Sequence, residues 1–269
     1  MTDAVLLQPC MLNCRLKNES KAWHFLMKYT EEQLLERHIS RLFRKGTKDY
    51  ELICEGDRIL IGLSGGKDSL ALLEFLAKQA RVRKPAITLE ALHVRMDNID
   101  YQSDTRYLQQ IAEDAGVTLH IRHTSFEKDT NTRRTPCFLC SWNRRKVLFE
   151  TAQELGCNKI ALGHHMDDIL HTLLMNQTFE GQFSTMPVSL KMKKFPITII
   201  RPLCRVHEAD LQKWAELRQY PKMVKSCPYE THSKRTDMRE LFSKLEQINP
   251  EVRYSLWNAL EHDHKLIEE

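Results

Sequence analysis

The feature of this sequence that most constrains its fold is an alternation of short apolar runs with helix-like segments. The run DRILIGLSGG, residues 57–66, ends in glycines, which is typical of a buried parallel strand that enters a turn. Four later runs have a similar strand-like character and are separated by segments with helical periodicity: residues 87–94, 117–124, 158–165 and 197–203. The alternation predicts an α/β fold with a doubly wound, parallel, five-stranded sheet and right-handed crossovers.

Helical segments flank this predicted sheet. Apolar residues at spacings of three and four predict a helix from Glu19 to about Arg44, with Gly46 as its stop. Between the third and fourth strands the helical pattern covers residues 145–156, and the chain is helix-like again from about residue 236. A length of 269 residues allows one large or two modest domains. We divide the chain into an N-terminal helical extension (1–50), an α/β domain (51–235) and a C-terminal helical segment (236–269).

The bulk composition is that of a soluble globular protein. No apolar run approaches the roughly 18 residues of a membrane span, and 28% of the residues are charged. The N-terminus lacks a basic segment followed by an apolar core, so we expect no secretory signal, no membrane partner and a cytoplasmic location. The eight cysteines are then expected to be reduced, which favours metal or catalytic roles over disulfides. A net charge of +4 permits a polyanionic partner only where basic residues cluster.

The first predicted strand leads into a loop with the character of a phosphate-binding site. Glycines let the backbone approach a ligand closely, and the N-terminus of the following helix offers N–H groups to an anion. The loop is not of the Walker A type, which would need glycine at Ile61 and serine or threonine at Asp68. A carboxylate at Asp68, beside phosphates, is best explained as a ligand or an indirect partner of Mg²⁺.

The sequence SGGKDS after an apolar strand resembles the signature of the PP-loop ATP pyrophosphatases. The resemblance implies an adenine nucleotide alpha hydrolase-like, Rossmann-like fold. It also implies that ATP is cleaved between its α- and β-phosphates and that a carbonyl-type oxygen of a second substrate is adenylated. The nucleotide-binding residues would be Ser64, Gly65, Gly66, Lys67, Asp68 and Ser69, with Lys67 and Asp68 also catalytic.

Polar residues also follow the second strand (HVRMD) and the fourth strand (GHHMDD). Because ligands of such folds lie beyond the carboxyl ends of the strands, we expect these ends to converge on the loop. We assign His93, Gly163 and His164 to nucleotide or substrate contacts. Mg²⁺ prefers oxygen ligands, so we assign Asp168 to Mg²⁺ together with Asp68, and to catalysis. Acids at the start of a helix are also good caps, which leaves a purely structural role for the pair open.

The cysteines divide by their context. Cys137 and Cys140 form a C-x-x-C pair, and Cys227 stands alone in KSCPYE. A site with three thiolate ligands and one open coordination position is more typical of a reactive site than of a closed structural one. The spacing of the cysteines favours zinc and an iron–sulfur cluster equally, and both ahead of a catalytic dithiol. The other cysteines are weaker candidates: Cys10 and Cys14 form a C-x3-C pair without a second pair nearby, Cys54 and Cys157 are expected to be isolated core thiols, and Cys204 lies either near the site or in the core.

Several motifs together resemble the tRNA 2-thiocytidine synthetase family: SGGKDS, PCFLCSWNRR, KIALGHHMDDILHTLLMN, IIRPLCR and a late SCP, over roughly residues 50–245. The resemblance implies ATP, Mg²⁺ and a [4Fe–4S] cluster held by Cys137, Cys140 and Cys227. It also implies sulfur transfer to a cytidine of the tRNA anticodon loop, expected at position 32. The chain departs from the family in having Glu230 where a second late cysteine is common, and in reading SWNRRK after the first pair. Implied partners are tRNA and a sulfur donor such as a cysteine desulfurase, and a homodimer is left open.

Basic residues are grouped around the cysteine pair at Arg133, Arg134 and 144–146, again at Lys191, Lys193 and Lys194, and along the N-terminal helix. Charge runs are usually solvated faces, but arginines beside a reactive centre also suit an RNA backbone. We therefore predict an ATP-dependent tRNA sulfurtransferase. The alternative keeps the adenylating PP-loop enzyme but gives the cysteines a structural zinc and the enzyme another nucleotide or a small molecule as substrate. A non-enzymatic binding module is a third class, against which Lys67 and Asp68 argue.

Overall fold

The computed structural model describes residues 29–82, 87–98, 104–126, 135–221 and 234–268. Within these ranges the chain forms a seven-stranded sheet with helices on both of its faces. The elements in chain order are α1 (Glu31–Asp49), β1 (Arg58–Gly62), α2 (Lys67–Val82), β2 (Thr88–Met96), α3 (Thr105–Ala115), β3 (Thr118–Thr124), α4 (Pro136–Glu154), β4 (Lys159–Ala161), α5 (Met166–Phe179), β5 (Ser189–Lys191), β6 (Thr198–Ile200), α6 (Glu208–Leu217), α7 (Lys234–Ile248), α8 (Val252–His262) and β7 (Ile267–Glu268).

The sheet has the strand order β3-β2-β1-β4-β6-β5-β7. The five predicted strands are β1, β2, β3, β4 and β6, and every neighbouring pair among them is parallel, which confirms the α/β class and the doubly wound order. The count of five is wrong, because β5 pairs antiparallel with β6, and β7 pairs parallel with β5. These two strands have three and two residues, too few to produce a periodic pattern in the sequence.

The side chains of the central strands alternate between two separate hydrophobic cores, one on each face of the sheet. Ile59 and Ile61 of β1 face the larger core, whereas Leu60 between them faces the smaller one. The smaller core is closed by α4, through Val147, Leu148 and other residues of its second half. The larger core also contains residues of α1, α2, α3 and α5–α8. The helix α4 therefore lies on the face of the sheet opposite to α1.

The N-terminal helix ends later than its sequence pattern suggests, at Asp49. Thr30 is its N-cap and accepts a hydrogen bond from the Gln33 backbone, so the helix starts at Glu31, while residues 19–28 lie outside the described ranges. Gly46 is inside the helix rather than at its stop. A Cβ there would approach the Cys204 sulfur to 2.9 Å, so glycine at this position allows α1 to pack against the turn after β6.

The connection between β3 and β4 also differs from the prediction. Thr135 caps α4 by accepting from the Phe138 backbone, and Pro136 occupies the first turn. The helix thus begins at Pro136 rather than residue 145, and both cysteines of the C-x-x-C pair lie in its first two turns. No helix in the described part of the chain is long and apolar enough to span a bilayer.

Candidate active site

The loop between β1 and α2 is shaped by hydrogen bonds to one buried hydroxyl. Gly65 has a φ of 90°, a conformation that side chains disfavour. Beneath it, the Ser69 hydroxyl donates to the Gly66 carbonyl (2.9 Å) and accepts from the Gly65 N–H (3.2 Å). The Ser64 hydroxyl lies 3.1 Å from the same oxygen. Ser69 is only 5% exposed, so it holds the loop in shape from below, whereas Gly66 and Lys67 lie at the start of α2, where helix N–H groups bind anions.

The Lys67 ammonium lies among carboxylates. Its Nζ is 3.0 Å from Asp68 Oδ1 and 3.5 Å from Glu208 Oε1 at the start of α6. Glu208 also contacts Arg239 of α7 at 3.3 Å. These side chains retain 24–30% of their exposure, apart from the more exposed Arg239, so the group is open to a ligand. A phosphate that enters the loop can replace Glu208 as the partner of Lys67.

Gly163 brings the end of β4 against the phosphate loop. A Cβ at this position would lie 3.0 Å from the Asp68 carbonyl group and 3.0 Å from the Ser69 nitrogen. These neighbours are backbone atoms in the first turn of α2 and cannot move cheaply. The expected convergence of the two strand ends is therefore present, and it depends on the absence of a side chain at residue 163.

Behind the loop, His165 and Asp167 form a buried charged pair. They are 3% and 6% exposed, and His165 Nδ1 is 3.5 Å from Asp167 Oδ2 while its Nε2 is 3.4 Å from Asp168 Oδ2. Burial by itself lowers the pKa of His165, but the bond to Asp167 and the charges of Asp168 and Asp68 outweigh it and raise the pKa. The His165 backbone also donates to Asp168, so this carboxylate caps α5 as well.

Asp167 is held from the C-terminal helices. Its Oδ1 accepts from Arg253 of α8 at 2.5 Å, and its Oδ2 accepts from the Glu208 backbone at 2.7 Å. Burial opposes ionisation, but the bonds to His165 and Arg253 hold the pKa of Asp167 well below its usual range. Arg253 also pairs with Glu246 at 2.7 Å. A chain of ion pairs therefore connects α8 to the residues around the loop.

His164 and His93 have different surroundings. His164 is half-buried, and its Nδ1 accepts from Nε of Arg201 at 3.2 Å, while Arg201 also donates to the Pro187 carbonyl. Burial lowers the pKa of Arg201 to about 10. His93 is 1% exposed, and its Nδ1 lies 2.8 Å from the Leu63 carbonyl, just before the loop. Burial also lowers the pKa of His93, so this side chain supports the loop as a neutral imidazole.

The cysteine pair lies at the same edge of the sheet. Leu139 and Cys140 pack against Met96, at the end of β2, and Phe126, just after β3. Cys137, by contrast, is exposed. Because residues three apart share a helix face, the two sulfurs belong to one side of α4. Cys227, the third predicted ligand, lies outside the described residues, as do Cys10 and Cys14.

Comparison with known proteins identifies the family. A model described as a PP-loop domain matches residues 31–245. The tRNA-cytidine(32) 2-sulfurtransferase of Anaeromyxobacter sp. (strain K) is 33% identical over 85% of this chain and 79% of its own length. The protein of that name from Citrifermentans bemidjiense is 34% identical over 82% of this chain and 88% of its own length. This chain belongs to the PP-loop family of tRNA-cytidine(32) 2-sulfurtransferases.

A solved structure is also similar to this PP-loop protein. It is the U34-tRNA thiolase NcsA from Methanococcus maripaludis with its [4Fe–4S] cluster, which is 27% identical, with a TM-score of 0.72 over 88% of this chain and 81% of that one. The family resemblance drawn from the motifs and the fold that it implied are thus confirmed. The domain boundaries at residues 50 and 235 stay predictions.

The donor sets of the PP-loop protein suit the groups that the motifs imply. Asp68 and Asp168 are partly exposed carboxylates, and the charge of each raises the pKa of His165. One or two carboxylates together with phosphates and waters are a usual environment for Mg²⁺. Cys137 and Cys140 offer two thiols from one helix face at a partly exposed position. Among the described residues no three histidine, cysteine or acidic side chains are close enough to hold a metal by themselves.

The structure sorts the remaining predicted groups. Cys157 and Cys204 are buried, whereas Cys54 is exposed, so the expectation of a core thiol is wrong for Cys54. The lysines of 191–194 lie at the last residue of β5 and in the hairpin that precedes β6, and therefore at the amino edge of the sheet, away from the loop. The basic helix α1 lies on the face opposite to α4. Among the described residues of the three basic groups, only Arg144, Arg145 and Lys146 lie on the helix that carries the cysteine pair, and Arg133 and Arg134 lie outside the described residues.

Three charged residues near the site were missed from the sequence: Arg201, Glu208 and Arg253. Arg201 stands in IIRPLCR directly after a strand, a position that could have marked it. Glu208 begins a helix, where an acid has an ordinary structural explanation. Arg253 has no local signal, since its partner Asp167 is 86 positions away.

Proposed function

We propose that this protein is an ATP-dependent tRNA sulfurtransferase that replaces the 2-oxygen of cytidine 32 in the anticodon loop with sulfur. The observation that carries the proposal is the shared edge of the sheet: the phosphate loop after β1 and the cysteine pair beyond β2 and β3 both lie at its carboxyl end. The names of the relatives and the cluster of the NcsA thiolase support the choice of substrate and cofactor.

In the activation step the chain holds ATP for attack at its α-phosphorus. N–H groups of the loop and of the first turn of α2 bind phosphate oxygens, and Lys67 exchanges Glu208 for a phosphate. The cytidine O2 forms a bond to the α-phosphorus as the bond to the bridging oxygen breaks, and pyrophosphate leaves with that electron pair. Magnesium, held by Asp68 and Asp168, would offset the negative charge. The pair of His164 and Arg201 lies beside this centre and is assigned to substrate contacts.

In the transfer step, sulfur at the oxidation level of sulfide adds to C2 of the adenylated cytidine. The C2–O bond breaks, AMP leaves with the bonding pair, and a proton is released, so no external oxidant or reductant is required. Cys137, Cys140 and Cys227 would hold a [4Fe–4S] cluster, which when bound supplies an open coordination position for sulfur. We also propose that a cysteine desulfurase supplies the sulfur as a persulfide, from which a thiol releases sulfide as a disulfide forms, and that the reaction takes place in the cytoplasm, while a homodimer stays a prediction.

The test uses the full chain, reconstituted with iron and sulfide under anaerobic conditions. We expect 2-thiocytidine in digested tRNA by mass spectrometry, formed only with ATP and together with AMP and pyrophosphate. Absence of any thionucleoside, both here and as a difference between tRNA from cells with and without the gene, would overturn the proposal. Zinc without acid-labile sulfide in the purified protein would instead favour an adenylating enzyme with a structural zinc.

A further inference from the structure

The outer face of α4 carries aromatic rings where a helix in contact with water normally carries polar groups. Trp142 is 49% exposed and Phe138, four residues earlier, is 38% exposed. Residues four apart share one side of a helix, so the two rings form a continuous apolar strip. The structure describes two other tryptophans, Trp214 and Trp257. They are 4% and 1% exposed, as is usual for tryptophan in a folded core.

The surroundings of the strip are basic. Lys146 Nζ lies 5.9 Å from the centre of the Trp142 ring, within the range of a cation–π contact, and 3.8 Å from Glu150. Arg145 is exposed and is braced against the helix by a hydrogen bond from its Nε to the Ser141 carbonyl. In the sequence, residues 130–149 contain five basic residues and no acid. A partner of this face is therefore expected to be anionic.

The strip lies at the same end of α4 as the cysteine pair, on another side of the helix. Trp142 follows Cys137 by five residues, which is about 7.5 Å along the helix axis and about 140° around it. Side chains on a helix lean toward its N-terminus, so the indole leans toward the first turn of α4, where the cysteine pair begins. Aromatic rings beside arginine and lysine are the usual means by which proteins bind single-stranded RNA, since every base has a face that can stack while its phosphates meet the cations.

We propose that Trp142 is a stacking platform for an unpaired base of the RNA substrate, with Arg145 and Lys146 binding the adjoining phosphates. The proposal rests on the proposed function for the identity of that RNA, an anticodon loop. Stacking at this position holds the loop at the end of α4 that carries the cysteine pair, at the same edge of the sheet as the bound nucleotide. The face is thus a specificity element that selects RNA with unpaired bases.

The test compares two RNA probes on the full-length reconstituted protein by fluorescence anisotropy, at one salt concentration of about 100 mM. One probe is a synthetic anticodon stem and loop, and the other is the same stem as a blunt duplex. We expect Trp142→Ala to weaken binding of the stem and loop by about 5- to 150-fold, the usual effect of one lost stacking contact, and to leave binding of the duplex unchanged. Trp142→Phe should retain most of the affinity. Phe179→Ala, which removes an equally exposed ring (49%) on α5, should bind both probes as the unaltered protein does.

Three results would overturn this inference: equal affinity of Trp142→Ala and the unaltered protein for the stem and loop, an equal loss on both probes, or a changed molar mass of Trp142→Ala by light scattering without RNA. The last would assign the face to a subunit interface. If the unaltered protein thiolates tRNA while the variant binds normally, only the stacking platform fails. If it thiolates no tRNA, the proposed function fails, and the two probes still decide whether Trp142 stacks on RNA.

Discussion

The two parts of the candidate site, at the phosphate loop and at the start of α4, are constructed in opposite ways. Around the loop, His165 and Asp167 are 3% and 6% exposed, and Asp167 has partners at the start of α6 and on α8. At the start of α4, Cys137 is exposed and Trp142 is 49% exposed. The activation part is thus held rigid by the core, whereas the transfer part is presented on a surface.

This difference follows from the chemistry that each part is proposed to carry out. A phosphate loop needs N–H groups and cations in place before charge develops, and burial with many partners provides this preorganisation. A centre that transfers an atom to RNA must be reached by a macromolecule, so its residues cannot all be buried. Variants in the two parts should therefore fail in different ways.

The largest effect is expected at the exposed cysteine. Cys137→Ala should abolish formation of 2-thiocytidine, because one of the three proposed cluster ligands is lost, while the affinity for ATP is retained. The measurements are thionucleoside by mass spectrometry and nucleotide binding by calorimetry. Cys54→Ala is the matched control, since it also removes an exposed thiol. Equal activity of the two variants would contradict a role of Cys137 in transfer.

At the buried side, Arg253→Ala should destabilise the protein by about 3–5 kcal/mol, because it leaves the Asp167 carboxylate buried without its main cation. Urea unfolding measures this difference. Arg122→Ala breaks an exposed pair with Glu154 and should cost less than about 1 kcal/mol. A similar cost for both substitutions would show that the C-terminal helices do not support the site.

Loss of the loop lysine should act on chemistry rather than on stability. We expect Lys67→Ala to slow ATP-dependent pyrophosphate release by about 10²–10³-fold, as removal of one stabilising donor does in other active sites. Lys78→Ala removes another lysine of α2, which pairs with Glu36 outside the site, and should leave the rate unchanged. A normal rate in Lys67→Ala would remove this residue from the activation step.

The charge of Asp167 predicts an acid-sensitive contribution to stability. The folded protein holds the pKa of this carboxyl below its unfolded value of about 4, so the stabilisation is present above that value and is lost as the pH falls below it. The difference in unfolding free energy between the unaltered protein and Asp167→Asn should therefore be large at pH 7 and smaller near pH 3. Asp263→Asn, at an exposed position, is the matched control and should cost less than about 1 kcal/mol at pH 7.

The smallest effect is expected at Glu208, which competes with phosphate for Lys67. Glu208→Gln should tighten ATP binding about two- to fivefold, which is the affinity change expected when one partly exposed ion pair no longer competes with the ligand. Calorimetric titration with ATP measures the change. Glu113→Gln, at an exposed position of α3 away from the loop, should leave the affinity as it is. Weaker binding in Glu208→Gln would mean that Glu208 helps to hold the nucleotide or its metal.

Local patterns predicted much of this molecule. The helix α3 ends at Ala115 with Gly116 in the left-handed conformation, as its sequence pattern predicts, because turn chemistry is decided by neighbouring residues. The motif SGGKDS forms the turn after β1 and the start of α2 for the same reason. The start of α4 was placed nine residues too late, because its first turns have Thr135 as a cap but no clear apolar periodicity, being exposed on one side and covered by Met96 and Phe126 on the other.

The sequence by itself determined the class of fold, the phosphate loop, the cysteine pair and, through its motifs, the family. Periodicity, turn residues and short motifs act over a few positions, so they can be read without coordinates. Only the tertiary structure decided that Glu208 faces Lys67, that Arg253 neutralises Asp167 and that the basic groups of α1 and of 191–194 lie away from the start of α4. Ion pairs between residues 86 and 141 positions apart have no local pattern, because they depend on how distant helices pack on the sheet.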